Sequence, residues 1–186
     1  MKKKMIHMIV LAMACLFASC QDSSKLVISD LQCEYLNAPL AIDNTTPHFG
    51  WKMTCGQNGT SSSAYQILVA TELDKLNEEE ADLWNSGKVS SDTSLGIVYG
   101  GKALNSRTQA YWKVRVWNQA DVPSEWSKPS SFGIGMLSEN DWSAEARFIG
   151  VEQADEKSQS APLLRKSFTY EPSKGKALLS VNSLGY

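Results

Sequence analysis

The stretch from residue 110 to 118, AYWKVRVWN, constrains the fold most because its side chains alternate in character. In an extended strand, successive residues point to opposite faces of the sheet. One face then carries apolar residues and the other a mixture of charged and aromatic ones: Trp112, Val114 and Val116 against Lys113, Arg115 and Trp117. A turn-rich segment over 118–124 and an apolar run over 131–134 follow, which predicts the last hairpin of a β-sandwich.

Short strands separated by turn residues account for most of the chain before this hairpin. The pattern predicts strands at 27–36, 48–53, 64–70, 84–89 and 97–99. Seven short strands predict an all-β fold, a fibronectin type III or immunoglobulin-like sandwich over 27–134. Trp51 is predicted to be its core tryptophan. The phase of the long strand points Trp112 rather than Tyr111 inward, so we expect an altered tyrosine corner.

The segment 73–83 departs from the strand pattern. Leu73, Leu76 and Leu83 have the spacing of one helical face, and three glutamates at 78–80 lie between them. This spacing predicts a short amphipathic helix. Adjacent glutamates do not converge on one ion, so we interpret them as a solvated face rather than a cation site.

Composition argues against several classes of function. The net charge of −2 offers no basic surface for nucleic acid. His48 is the sole histidine after residue 20, which leaves little for a histidine-based triad or a His-rich metal site. The sequence has no glycine-rich phosphate loop, and its acidic residues lack the spacing of an acid–base pair. We therefore predict no cofactor, no metal and no catalytic residue within this chain.

The first 20 residues have the pattern of an export signal. Three lysines at 2–4 precede an apolar run that ends near Phe17, which is short for a membrane span. Small residues stand directly before Cys20, as in a bacterial lipobox, and a polar tether over 21–26 follows. We predict lipidation at Cys20 and an exported lipoprotein of the outer membrane, cell surface or periplasm. An ordinary signal peptide that happens to contain Cys20 is the alternative.

Two cysteines remain after this segment, Cys33 and Cys55. In an export compartment they can form a disulfide. We expect antiparallel pairing of the first two strands to bring them together. Two buried thiols that act as small hydrophobic residues are the alternative. The absence of a CxxC motif argues against a redox or zinc site.

A second region follows the sandwich. Residues 135–145 are predicted to be a linker, and strands are predicted at 161–170 and 176–186. Two or three strands cannot close a core, so we expect 146–186 to be the start of a second, incomplete β-sandwich. This pattern leads us to expect that the chain is a fragment of a longer protein.

Six phrases, in order, resemble the N-terminal region of bacterial α-L-rhamnosidases of the glycoside hydrolase family 78 type. They are LQCEYLNAPLAID at 31–43, PHFGW at 47–51, ADLWNSGKV at 81–89, YWKVRVW at 111–117, WS at 126–127 and APLLRKSF at 161–168. The resemblance covers almost all of the chain after residue 20. Mild departures from the usual phrases fall at 37–41 and 84–87.

The resemblance implies an enzyme that removes terminal L-rhamnose with inversion, using two carboxylic acids. In that family both acids lie in an (α/α)6 barrel far downstream, and no part of this sequence matches that barrel. We therefore assign no catalytic residue here. The implied partners are the downstream catalytic domain of the same polypeptide, a rhamnose-containing glycan bound by the whole protein, and a membrane through the lipid anchor.

Three hypotheses follow for the chain itself. In the first, it spaces and buttresses the catalytic barrel of a lipid-anchored rhamnosidase, with Tyr111, Lys113 and Trp117 as contacts. In the second, it is a non-catalytic module that binds glycans or proteins through Trp117 and Trp126. In the third, it belongs to a different exo-acting glycosidase with the same front end. Ordinary packing on the surface of the sheet is the alternative for each of these aromatic residues.

Overall fold

The computed structural model describes residues 25–149, 163–171 and 177–182. The predicted signal peptide with Cys20 and most of the tether therefore lie outside the described residues. The chain divides into two compact units, residues 1–143 and residues 144–186.

The described part of the first unit contains eight strands. They are β1 (Val27–Cys33), β2 (His48–Thr54), β3 (Ser62–Ala70), β4 (Trp84–Asn85), β5 (Val89–Ser90), β6 (Ile97–Val98), β7 (Gln109–Asn118) and β8 (Ser130–Gly133). One sheet has the order β1-β2-β6, and the other has the order β4-β3-β7-β8 with β5 also paired to β3. All of the neighbouring strands are antiparallel. One turn of 3₁₀ helix, Glu139–Asp141, follows the last strand.

The predicted all-β sandwich is confirmed, because the two sheets bury one aromatic-rich core. Phe49 lies at its centre, with its ring centroid 4.4 Å from that of Trp112 and 5.6 Å from that of Phe132. Trp51 is buried as predicted and packs edge-on against Tyr65. Trp112, Val114 and Val116 are fully buried, as the alternation of β7 predicts.

The helix predicted over 73–83 is wrong. The segment is a series of turns, because polar side chains bind its backbone amides in place of an i to i−4 ladder. The side-chain oxygen of Asn77 accepts hydrogen bonds from the backbone N–H groups of Glu79 and Glu80. Asp82 accepts hydrogen bonds from the backbone N–H and the hydroxyl of Thr71. Leu76 is still buried, against Leu68 and Ala70 on the outer face of β3.

The expectation that strand pairing brings Cys33 and Cys55 together is also wrong. Cys33 ends β1 opposite Phe49, whereas Thr54, next to Cys55, lies opposite Val27 at the other end of β1. About six residues of strand separate the two positions, or roughly 20 Å, and a disulfide needs Cα atoms within about 7 Å. No disulfide joins them in the described structure, and burial with the nearby Glu34 charge raises the pKa of the Cys33 thiol to about 12.

Gly133 is the position of this sandwich where we expect a methyl group to be least tolerated. A Cβ atom there would stand 2.1 Å from Gln109 Nε2 and 2.2 Å from the carbonyl oxygen of Leu40. We expect Gly133→Ala to lower the free energy of unfolding by about 1–3 kcal/mol, measured by urea denaturation. Gly135→Ala is the matched control, since its Cβ would meet nothing nearer than 3.5 Å. Equal midpoints for the two variants would contradict this expectation.

The second unit carries no assigned strand in its described residues, 144–149, 163–171 and 177–182. The strands predicted at 161–170 and 176–186 are therefore absent over 163–170 and 177–182. A strand needs a hydrogen-bonded neighbour, and the apolar side chains of these segments are exposed, among them Leu163, Phe168 and Val181. The assignment of 146–186 to the start of a second sandwich stays a prediction.

Candidate functional site

The candidate site is the outer face of β7, on the side of the strand that points away from the core. Lys113, Arg115 and Trp117 alternate along this face, as predicted. Residues i and i+2 of a strand stand roughly 7 Å apart, which is enough space for an aromatic ring between two side chains. Trp126, from the segment that follows β7, packs against this face.

Cations and indole rings form a continuous series across this surface, which we call the cation–π ladder: Lys88, Trp117, Arg115, Trp126 and Lys113. The guanidinium carbon of Arg115 lies 4.9 Å from the centroid of Trp117 and 4.6 Å from that of Trp126. The ammonium nitrogen of Lys88 lies 4.9 Å from the centroid of Trp117. The ammonium nitrogen of Lys113 lies 4.8 Å from the centroid of Trp126. All four distances are within the range of a cation–π contact.

Two serines hold Trp126 in the ladder. The hydroxyl oxygens of Ser124 and Ser127 accept hydrogen bonds from the backbone N–H groups of Val116 and Val114, each at 3.1 Å. The backbone N–H groups of the same serines donate back to the carbonyl oxygens of Val116 and Val114, each at 2.8 Å. The segment 124–127 therefore runs along β7 and places the intervening Trp126 over the outer face. The repeated serine spacing was the sequence signal for this arrangement, and our sequence reasoning missed it.

Polar partners fix the charged members of the ladder. Arg115 donates from Nε and from one terminal nitrogen to Gln66 Oε1, at 3.1 Å and 2.7 Å. The same guanidinium pairs with Glu78, and Lys88 pairs with Asp121. Gln66 is buried, and its amide nitrogen donates to Asn85 Oδ1 at 2.9 Å. Sequence reasoning did not identify Gln66 or Lys88, because they are distant from β7 in the chain.

The predicted contact residues differ in exposure. Trp117 is only 7% exposed, while Tyr111 and Trp126 are half-buried. Burial lowers the pKa of Lys113, which lies at the end of the ladder. Because each indole ring already has two cations against it, little ring surface remains for stacking on a sugar. The cation–π ladder therefore forms a closely packed, half-buried surface on the outer face of β7.

The described residues hold no cluster of three or more His, Cys, Asp or Glu side chains that is able to bind a metal ion. No helix among them has the length and apolar character to cross a membrane. Two carboxylates beside the ladder pair with its cations, Glu78 with Arg115 and Asp121 with Lys88.

Comparison with known proteins gives the family. The sequence model of the family described as "Rha78A-like, N-terminal immunoglobulin domain" matches residues 28–138, which include both sheets and the whole ladder. The chain belongs to this family. It has the immunoglobulin domain that stands at the N-terminus of Rha78A-like proteins, and the sandwich of β1–β8 is that domain.

Relatives of this immunoglobulin domain are α-L-rhamnosidases. The chain is 43% identical to an α-L-rhamnosidase of Formosa agariphila over 151 residues, which are 79% of this chain and 16% of that enzyme. Among solved structures, it resembles the α-L-rhamnosidase of Streptomyces avermitilis complexed with L-rhamnose (38% identity, TM-score 0.61), over 63% of this chain and 11% of that one. The α-L-rhamnosidase from Dictyoglumus thermophilum is similar (34% identity, TM-score 0.60), over 64% and 14%.

Proposed function

We propose that the chain is the accessory N-terminal region of an exported, lipid-anchored α-L-rhamnosidase that hydrolyses terminal L-rhamnose from glycans or glycosides. The observation that carries the proposal is the match of the immunoglobulin domain to α-L-rhamnosidases of which this chain spans only a small part, 16% for the Formosa agariphila enzyme. Catalysis would then belong to a downstream domain of the same polypeptide. The domain itself would be a spacer and support.

The topology of the sandwich supports a role as a spacer. The first residue of β1, Val27, lies opposite Thr54 at the end of β2. A loop leads from β2 to Ser62, which lies opposite Asn118, the last residue of β7. The chain therefore enters the sandwich at the end where β7 finishes. The chain leaves at the other end, where the backbone N–H of Gly135 donates to Ile42 and that of Arg107, just before β7, donates to Gly135. The ten residues of β7 span about 30 Å between these ends. An anchor before β1 and an enzyme after Gly135 would join the domain at opposite ends, about 30 Å apart.

The outer face supports a structural role more than a role in sugar binding. A sugar-binding platform needs an open aromatic face, and the two rings predicted for it, Trp117 and Trp126, are covered by Lys88, Arg115 and Lys113. Cation–π contacts on both indole rings would stiffen the sheet. The charged groups of the ladder would then remain available for contact with another protein domain.

Assay of rhamnose release tests where the activity lies. We expect the full-length protein to release L-rhamnose from an aryl α-L-rhamnoside, and the chain of this sequence, purified without residues 1–20, to release none. Release by the purified chain would overturn the assignment of catalysis to a downstream domain. A full-length protein without this activity would overturn the proposed function.

Substitution of Cys20 tests the lipid anchor. The variant Cys20→Ala lacks the thiol that would be acylated, so we expect the protein to move from the membrane fraction to the soluble fraction. Cys15→Ala is the matched control, since that residue lies within the predicted signal and is not an acylation site. Fractionation of the Cys20→Ala protein with membranes, unchanged from the native protein, would refute the anchor.

A further inference from the structure

The end of the sandwich where the chain leaves the immunoglobulin domain carries an exposed apolar surface. Tyr35 is 64% exposed, Leu36 55%, Leu40 69% and Leu137 39%. Leu36 lines an open hollow of about 460 Å³ together with Ile42 and Gly135. We call these four exposed residues and the hollow the exit surface. Isolated exposed apolar residues are ordinary, but a group of them at one end of a domain marks a contact site.

The backbone holds one of these residues, Tyr35, in an unusual conformation. Glu34 and Tyr35 form a two-residue turn, closed by hydrogen bonds in both directions between the backbones of Cys33 and Leu36, each 3.0 Å. The φ angles of Glu34 and Tyr35 are 50° and 61°, a region that such turns normally fill with Asn and Gly. A tyrosine in the left-handed region is strained, so its display at the surface needs compensation.

Glu34 supplies that compensation from below the turn. Its carboxylate oxygen accepts hydrogen bonds from Asn44 Nδ2 and from the backbone N–H of His48, at 2.9 Å and 2.8 Å. It also lies 2.9 Å from His48 Nδ1. Burial alone raises the pKa of Glu34, but the hydrogen bonds from His48 and Asn44 offset it and leave that pKa lowered. The turn that displays Tyr35 and Leu36 is therefore rigid and held by a charged group.

The segment that leaves the domain is fastened beside this surface. Asp141 accepts hydrogen bonds from the hydroxyl of Ser106 at 2.5 Å and from the backbone N–H groups of Leu137 and Ser138 at 2.9 Å and 2.8 Å. Arg107 donates to the carbonyl oxygen of Asp141 at 2.8 Å. These bonds fix the backbone over 134–141 against the turn that precedes β7.

We propose that the exit surface is the docking site for the catalytic part of the rhamnosidase, which lies outside this chain. The proposal rests on the proposed function. A rigid apolar group directly beside a fastened exit segment fits a packed contact between two domains of one polypeptide better than a free tether. Interfaces between domains of one chain resemble those of transient complexes, with an apolar centre and a polar rim. Tyr35, Leu36 and Leu40 supply the centre, and Glu34 and Asp43 at the edge of the hollow supply the rim.

Hydroxyl-radical footprinting of two proteins tests the proposal. The full-length protein and the chain of this sequence without residues 1–20 are oxidised under the same conditions, and modification is read by mass spectrometry at Tyr35, Leu36 and Leu40. We expect several-fold less modification of these residues in the full-length protein. Val98, on the edge strand β6 and 54% exposed, is the control and should react equally in both. Equal reactivity of Tyr35 in both proteins would overturn the docking site.

Two further measurements separate this proposal from its alternatives. If a second copy of the chain covers the surface, modification of Tyr35 in the short chain falls as its concentration rises, and the proposal is overturned. Rhamnose release by the same full-length sample is measured in parallel. An active rhamnosidase with a reactive Tyr35 refutes the docking site and keeps the proposed function, whereas an inactive full-length protein refutes the proposed function whatever the footprint shows.

Thermal unfolding of a double variant tests the docking site in a second way. Substitutions that act only within the immunoglobulin domain would change the short chain and the full-length protein alike. Tyr35→Ser with Leu36→Ser removes exposed side chains, so we expect the short chain to keep its melting temperature. In the full-length protein, we expect the immunoglobulin domain to lose its coupling and unfold in a transition of its own. Val98→Ser is the matched control and should leave both proteins unchanged. A full-length double variant that unfolds like the native protein would contradict the proposal.

Discussion

Replacing Trp112 with alanine is expected to lower the free energy of unfolding by about 3–5 kcal/mol, the usual cost of removing a buried aromatic side chain. Trp112, in β7, is fully buried. Its ring packs between the two sheets against Phe49, with 4.4 Å between the ring centroids. Small domains are stable by only about 5–15 kcal/mol. The variant should therefore unfold at a much lower urea concentration, which far-UV circular dichroism of the purified chain measures.

Trp112→Phe is the matched control for this variant. The indole Nε1 of Trp112 is buried and has no hydrogen-bond partner in the described structure, so phenylalanine removes an unsatisfied donor as well as ring volume. A buried donor without a partner costs about 1–3 kcal/mol, which offsets part of the lost packing. We expect Trp112→Phe to be clearly more stable than Trp112→Ala. Equal losses for the two variants would contradict this account of the indole nitrogen.

The alternation of side chains was sufficient to predict the sandwich. In β2 and β7 it assigned Trp51 and Trp112 to the core, because a half-buried strand has one dry face whatever lies opposite. The number of short strands then predicted the fold class, and the fold is an immunoglobulin sandwich. Register was the limit of this reasoning. The distance between Cys33 and Cys55 depends on which residues of β1 and β2 lie opposite each other, and local periodicity does not specify that.

The prediction of a helix at 73–83 was wrong for a related reason, because contacts from outside the local pattern decided the structure. Leu73, Leu76 and Leu83 have a helical spacing, but Leu76 is buried by the outer face of β3, and the Asn77 side chain binds the backbone amides of Glu79 and Glu80, which a helix needs. Side-chain competition of this kind is invisible to a count of apolar positions. The turn at Glu34 and Tyr35 is similar, since its left-handed residues are held by Asn44 and His48, which are more than eight residues away.

The candidate site was predictable only in part for the same reason. The sequence of β7 placed Lys113, Arg115 and Trp117 on one face, because they share a strand and a phase. It did not place Trp126 between two of them, since that depends on the bonds of Ser124 and Ser127 to β7. Rings that look available for sugar binding in the sequence are thereby covered by cations in the fold. Tertiary contacts, and not residue type, decide what this face does.

Arg115 at the centre of the cation–π ladder gives the test of that conclusion. We expect Arg115→Ala to lower the free energy of unfolding by about 2–5 kcal/mol, from two ring contacts of about 0.5–1 kcal/mol each and a Gln66 oxygen left unsatisfied at about 1–3 kcal/mol. Arg115→Lys keeps the charge but loses the planar fork that bonds Gln66, so we expect it to recover less than half of the loss. Urea denaturation measures all of these values.

Lys113→Ala is the matched control at the end of the ladder, where one ring contact of about 0.5–1 kcal/mol is lost. The salt dependence then separates the ladder from an ordinary surface ion pair between Arg115 and Glu78. In about 1 M NaCl, where the Debye length is about 3 Å, an exposed ion pair is largely screened, while the ring contacts and the bond to Gln66 persist. We therefore expect most of the Arg115→Ala loss to remain at high salt. A loss that disappears there would mean that the stacked rings do not stabilise this face, and would reopen Trp126 as a binding surface.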